Sequence, residues 1–235
     1  RHATTKFSNF HFTANHETKK RLIKLGEVPK NIFPVGCPSI DALYNEKKIN
    51  KKIIKKKFNI DIDKNFLLII QHPVTSEIDK TSIQMKETLK AIKMSRMQHI
   101  IIFPNNDAGS KDILKDIKRS KLNFTSTLNL SEYKTFLSSK MVLVGNSSSG
   151  IHETASFKVP VVNIGSRQQG RKKPLNIINV NYKCSQILKA IKRANSKAFK
   201  KKISKIKNPY GDGKSAIRIV NIIKRLKLKN FKTQK

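Results

Sequence analysis

The sequence predicts an α/β fold, a parallel sheet wrapped by helices, and three observations carry that reading. Apolar runs of strand length recur along the chain, most of them unbroken, which suits strands buried on both faces. Between them lie stretches with helical patterning and recognisable caps, and such β-α alternation implies parallel strands. Polar, glycine-containing clusters follow directly on the apolar runs, at the strand ends where open α/β sheets hold their ligands.

The elements follow in order. A strand is expected over residues 10–14, then a helix capped by Asn15 and closed at Gly26, then a strand over 32–35. Gly36-Cys37-Pro38 breaks the pattern and suggests a hinge near residues 37–45, and the lysine-rich 47–57 reads as an exposed helix. A strand over 66–70 leads to a helix opening at Ser76 or Asp79 and reaching Met94. Strands at 99–103, 124–128, 141–144, 159–164 and 177–180 alternate with helices at 108–120 and 131–139. Two basic helices, 184–205 and 214–228, are interrupted by Asn208-Pro209-Tyr210-Gly211-Asp212-Gly213, and 229–235 reads as a frayed basic tail.

Composition narrows the class. With 235 residues and 37% hydrophobic residues the chain can bury a real core, so it is globular. Its two cysteines, Cys37 and Cys184, lie far apart and outside any metal-binding spacing, which fits a reducing cytoplasm without zinc or a disulfide framework. No apolar stretch approaches the roughly 18 residues of a membrane span, so no membrane partner is expected. The chain opens on Arg1 with no leader pattern and reads as a fragment of something longer. A net charge of +35 raises nucleic acid as a partner. Lysine supplies most of that charge, spread over nearly every segment, while base-stacking aromatics are sparse and tryptophan is absent, so solvated helix faces explain it better.

The chemistry concentrates at the strand ends. Gly145-Asn146-Ser147-Ser148-Ser149-Gly150-Ile151-His152-Glu153 follows an apolar strand and precedes a helical pattern, the layout of a phosphate cradle built from a glycine turn, serine hydroxyls and helix-start amides. The same run also reads as an ordinary serine-capped turn. Glu153 stands one helical turn beyond the serines, so one helix could read phosphate and ribose together. His72 in Gln71-His72-Pro73-Val74 can donate to a phosphate oxygen or protonate a leaving group, or it is a hydrogen-bonded loop histidine. Phe103-Pro104-Asn105-Asn106-Asp107-Ala108-Gly109-Ser110-Lys111 and Asn163-Ile164-Gly165-Ser166-Arg167-Gln168-Gln169-Gly170-Arg171 add amide, carboxylate and cationic groups at the same edge.

These clusters, in this order, resemble the UDP-N-acetylglucosamine 2-epimerases, specifically the hydrolysing branch of sialic or legionaminic acid biosynthesis. Arg1-His2-Ala3-Thr4-Thr5-Lys6, Gly36-Cys37-Pro38-Ser39-Ile40-Asp41 and Tyr210-Gly211-Asp212-Gly213 extend the likeness over almost the whole chain. The resemblance implies a Rossmann-like sheet forming the carboxyl-terminal half of a glycosyltransferase-B-like two-domain fold. Residues 1–38 would be a remnant of the amino-terminal domain, 39–207 the nucleotide-binding domain, and 208–235 a crossover helix and basic tail. His72 would contact the diphosphate and serve as the acid. Asn105, Leu128, Tyr133, Ser147, Ser148, Glu153 and Arg167 would bind UDP, with Leu128 and Tyr133 around the uracil. Lys111 matches a feedback-site position, with Lys115 and Lys118 as basic neighbours. The implied reaction eliminates UDP across carbons 1 and 2 and then adds water, giving N-acetylmannosamine without metal or cofactor. The family's proton-abstracting carboxylates fall before Arg1, so nucleotide binding without turnover is expected, in a homo-oligomer at full length. A diacetamido or GDP-linked sugar, a glycosyltransferase of the same fold, and a nucleic-acid-binding module are the competing readings.

Overall fold

The computed structural model describes residues 2–226, so Arg1, the end of the last expected helix and the basic tail at 229–235 lie outside the described residues. The chain divides into two compact units, one formed by the segments up to Asn45 and from Asn208 onward, the other by Glu46–Lys207.

In the smaller unit, strands β1 (His11–Thr13) and β2 (Ile32–Pro34) pair in parallel around the helix His16–Lys24. Asn15 caps that helix as expected, its Oδ1 accepting from the Thr18 N–H at 2.9 Å. The helix Pro38–Asn45 packs in this unit with the helix Ser215–Arg225. The buried Asp41 is the reason, since its carboxylate accepts the Ala216 N–H at 2.7 Å and so satisfies an amide at that helix start. The Tyr210-Gly211-Asp212-Gly213 turn is structural in this unit. Cys37 N–H donates to the Tyr210 carbonyl at 2.7 Å, and Arg218 holds Asp212 through two bonds of 2.8 and 2.7 Å.

The larger unit is one sheet of six parallel strands. Its strands are β3 (Phe66–Ile70), β4 (Gln98–Ile102), β5 (Phe124–Thr125), β6 (Met141–Gly145), β7 (Val161–Ile164) and β8 (Ile177–Val180), in the order β5-β4-β3-β6-β7-β8. This is the doubly wound order, with the switch point between β3 and β6. Every residue of those two strands is buried, as their unbroken apolar character predicts. On one face Leu67, Ile69, Val142 and Val144 pack with the helices Thr81–Ser95 and Cys184–Asn195. On the other Phe66 meets Phe136, ring centroids 5.4 Å apart, and Phe136 meets Phe58 at 5.5 Å.

Local departures from the expected elements have local causes. β5 covers only Phe124–Thr125, not 124–128, because it is an edge strand and its pairing ends where the Phe103 N–H reaches the Thr125 carbonyl. The helix expected from residue 108 starts at Ser110, since Gly109 at φ 90° cannot belong to it. The long helix expected over 184–205 splits at Ser196, whose extended backbone stops Cys184–Asn195 and whose hydroxyl caps Lys197–Ile203 at the Phe199 N–H, 3.2 Å away. Residues 75–80 form a 3-10 turn before the helix Thr81–Ser95 begins.

At the switch point, Gly145 turns at φ 132° directly against β3. A Cβ there would lie 2.1 Å from the Ile70 carbonyl oxygen. Gly145→Ala therefore forces the β3 and β6 ends apart and is expected to cost about 3 kcal/mol or more. Urea denaturation checks this, with Gly170→Ala as a control that carries left-handed backbone strain at φ 75° without the clash, since nothing lies within 4 Å of a Cβ there.

Candidate functional site

Four loops converge at the carboxyl edge of the larger sheet, and Asn146 is the atom-by-atom junction among them. Its backbone N–H donates to the Ile70 carbonyl at 3.1 Å, locking β6 to β3 beyond the last ladder pair. Its side chain accepts from the His72 N–H at 2.7 Å and donates to the His72 carbonyl at 2.9 Å. Its own carbonyl accepts from Gln168 Nε2 at 2.7 Å and Arg167 Nη1 at 3.3 Å. Asn146 and Gln168 are both 1% exposed, so these bonds lie out of water where losing one is costly.

His72 is thereby fixed through its backbone, and its ring is fixed separately. The Asn105 N–H donates to Nδ1 at 3.1 Å, which places the proton of a neutral ring on Nε2. Burial, then the Arg167 charge, lowers its pKa to about 4. In the free protein at neutral pH His72 is therefore a neutral ring that can donate through Nε2–H. The Asn105 side chain donates to Asp107 at 2.6 Å, and Asp107 stands 3.7 Å from Arg167, so the β4 and β7 loops meet here as well.

The segment after Asn146 corrects one expectation. The helix opened by the serines is a single turn, Ser149–His152, followed by the 3-10 turn Thr154–Phe157, with Glu153 at their joint. One turn gathers too few aligned peptides for a helix dipole, leaving hydroxyls and amides as the groups that can face an anion. Ser147 Oγ accepts the Ser149 N–H at 3.3 Å, and Ser148 stands half-buried beside it. Tyr133 reaches this turn from the helix Leu130–Leu137, its hydroxyl donating to Ser149 Oγ at 2.8 Å. Burial, with the Glu153 charge adding, pushes its phenol well above the usual range, so Tyr133 stays protonated beside Glu153.

The structure thus gathers His72, Asn105 and Arg167 around Asn146, and Tyr133, Ser147, Ser148 and Glu153 around the adjoining turn. Leu128 is half-buried in the loop between β5 and the helix Leu130–Leu137. Lys111, Lys115 and Lys118 occupy exposed positions on the helix Ser110–Ser120, apart from this network. Sequence reasoning missed Asn146 and Gln168 as connectors. It also missed the pairing of Arg171 Nη1 with His152 Nε2 at 3.0 Å, where burial and then Arg171 lower the His152 pKa to about 4. Among the described residues no group of three or more His, Cys, Asp or Glu could hold a metal ion, and no helix is long and apolar enough to cross a membrane.

The chain is 36% identical over 232 residues to a hydrolysing UDP-N,N'-diacetylbacillosamine 2-epimerase of Legionella pneumophila, an alignment covering 97% of this chain and 60% of the relative. It is 32% identical over 230 residues to the polysialic acid biosynthesis protein P7 of Escherichia coli, covering 95% of this chain and 59% of that protein. Its fold matches Staphylococcus aureus MnaA, solved with UDP, at a TM-score of 0.71 and 22% identity, covering 97% of this chain and 61% of that one. The chain therefore spans about three fifths of the length of the relatives it matches. The UDP-N-acetylglucosamine 2-epimerase family model matches residues 1–224, and with the doubly wound sheet and its switch-point cluster this establishes that the chain belongs to the UDP-N-acetylglucosamine 2-epimerase family.

Proposed function

We propose that this chain is the nucleotide-binding part of a hydrolysing 2-epimerase acting on a UDP-linked 2-acetamido sugar. The observation that carries the reading is the cluster at the β3–β6 switch point, where His72, Asn105, Arg167 and the serine turn share one junction, Asn146. Arg167 and the serine hydroxyls suit a diphosphate, and the Glu153 carboxylate beside Tyr133 suits ribose hydroxyls. Leu128 and Tyr133 contribute to the base end of the site.

In the proposed reaction a base removes the sugar's carbon-2 proton while the bond from carbon 1 to oxygen breaks, and the electron pair leaves with UDP. Water then adds across the resulting double bond, oxygen at carbon 1 and a proton at carbon 2 on the opposite face. His72 serves the departing diphosphate by hydrogen bonding through Nε2–H, stabilising developing negative charge. Asp107 is engaged with Asn105 and Arg167, and Glu153 lies beside Tyr133. On this reading the chain alone binds nucleotide without turnover. The reaction uses no metal or cofactor, in a cytoplasmic homo-oligomer.

The Legionella relative is a UDP-N,N'-diacetylbacillosamine 2-epimerase, which makes a diacetamido sugar a candidate substrate here beside N-acetylglucosamine. A turnover assay of the reconstituted whole enzyme with both UDP-sugars separates them. Release of free 2-acetamido sugar in its 2-epimeric form supports the reading, and transfer of the sugar to an acceptor refutes it.

Calorimetry of this chain is expected to show saturable UDP binding, weakened about tenfold by Ser147→Ala or Glu153→Ala. Binding that ignores both substitutions contradicts the assignment. By nuclear magnetic resonance the His72 ring is expected to titrate near 4 in the free protein and higher with UDP bound. Because the folded pKa lies below the ordinary 6.5, the neutral ring's contribution to stability is present above about pH 6.5 and is lost as pH falls toward 4. His72→Gln, which keeps a side-chain N–H donor, is expected to retain more UDP affinity at pH 7 than His72→Ala. Equal losses would show that the ring N–H does not contact the ligand.

A further inference from the structure

We propose that Glu77 is a positioning residue for Arg167, acting through Ser166 as a latch between the two loops that flank the phosphate turn. The affinity part of this proposal rests on the nucleotide reading above. β3 and β7 lie on either side of β6, so the loops leaving them border the turn that follows Gly145. Glu77 lies in the β3 loop five residues after His72, and interrupts the 3-10 turn Thr75–Lys80 with φ −132° and ψ 29°. One carboxylate oxygen accepts the Ser166 hydroxyl and the other accepts Gln84 Nε2 at 2.6 Å. Gln84 is buried on the helix Thr81–Ser95, so Glu77 is anchored from behind while it reaches across to the β7 loop. The two loops and Asp107 enclose a cavity of about 490 Å³ lined by Pro73, Glu77, Asp107, Ser166 and Arg167 among others.

The β7 loop needs such a restraint. Arg167 and Gln168 sit between two glycines in the left-handed region, Gly165 at φ 72° and Gly170 at φ 75°. Gly165 is wedged under Tyr182, whose ring would lie 2.1 Å from a Cβ at that position, whereas Gly170 meets nothing within 4 Å. Gln168 holds the middle of the loop through Asn146, and Ser166 holds the residue before Arg167 through Glu77. Arg167 already pairs with Asp107 at 3.7 Å through Nη2, and loss of the Ser166 bond frees the loop to carry the guanidinium off the Asn146 carbonyl and fully onto that carboxylate, away from a ligand phosphate. With the latch in place, the guanidinium stays on the Asn146 carbonyl, facing the phosphate turn.

The test uses Glu77→Ala, Ser166→Ala, the double variant and Glu77→Gln. In the free protein, amide exchange over residues 165–170 is expected to quicken about tenfold in each single alanine variant. UDP affinity is expected to fall about tenfold in each and no further in the double, because both substitutions remove one bond. Glu77→Gln, which keeps one acceptor oxygen, should restore part of the loss. Uridine, which has no phosphate, should bind all variants alike. Unchanged exchange, additive losses in the double variant, or equal losses for uridine and UDP would overturn the latch. Failure of the wild-type chain to bind UDP would refute the nucleotide reading, and the exchange arm would then decide the latch alone. If Glu77→Ala does not fold, Ser166→Ala, which removes a single oxygen, carries the same comparison.

Discussion

The closeness of β3 to β6 at their carboxyl ends is the constraint on which the site depends. Two parallel strands can converge there only if the residue at the crossing has no side chain, and Gly145 meets that need. Asn146 then arrives within reach of β3 and uses every hydrogen-bonding group it has, backbone and side chain, to join three loops. A buried amide of this kind leaves little room for compromise, since each unmet group out of water would cost about 1–3 kcal/mol. Geometry set by packing in the sheet is in this way passed to His72 and Arg167 in the flanking loops.

Much of the fold could be read in the sequence because burial on both faces writes an unbroken apolar run. β3 and β8 begin and end at the residues such runs indicate, and the sheet is parallel and wrapped by helices as the alternation implies. The edge strand β5 was harder, because a strand with one neighbour ends where pairing ends and not where apolar residues do. The candidate site was legible as a list of polar strand ends. Its wiring was not, because asparagine and glutamine look like surface residues until a fold buries them, as it does Asn146 and Gln168. The short helix at Ser149 was equally hidden, since a single helical turn and a longer helix begin with the same serines.

Charge behaves differently in bulk and at the site. The chain carries +35 overall, mostly as lysine on solvated faces, which attracts anions without discriminating among them. At the switch point the design is sparing: Arg167 is the cation, His72 is neutral, and Asp107 and Glu153 are carboxylates already engaged. On the proposed nucleotide reading, discrimination comes from directed donors held at fixed positions, and the neutral histidine is one of them.

The junction at Asn146 also sets an order of events during synthesis. Its partner His72 lies 74 residues earlier in the chain, and the arginine it supports lies 21 residues later. A chain emerging from the ribosome at about 5–20 residues per second has β3, β4 and their helices available for several seconds before β6 can insert. During that interval one edge of β3 is an open, wholly apolar template, and nothing resembling the finished site exists. Lysine is abundant in the segments already emerged, and charge of one sign disfavours the association of such open edges.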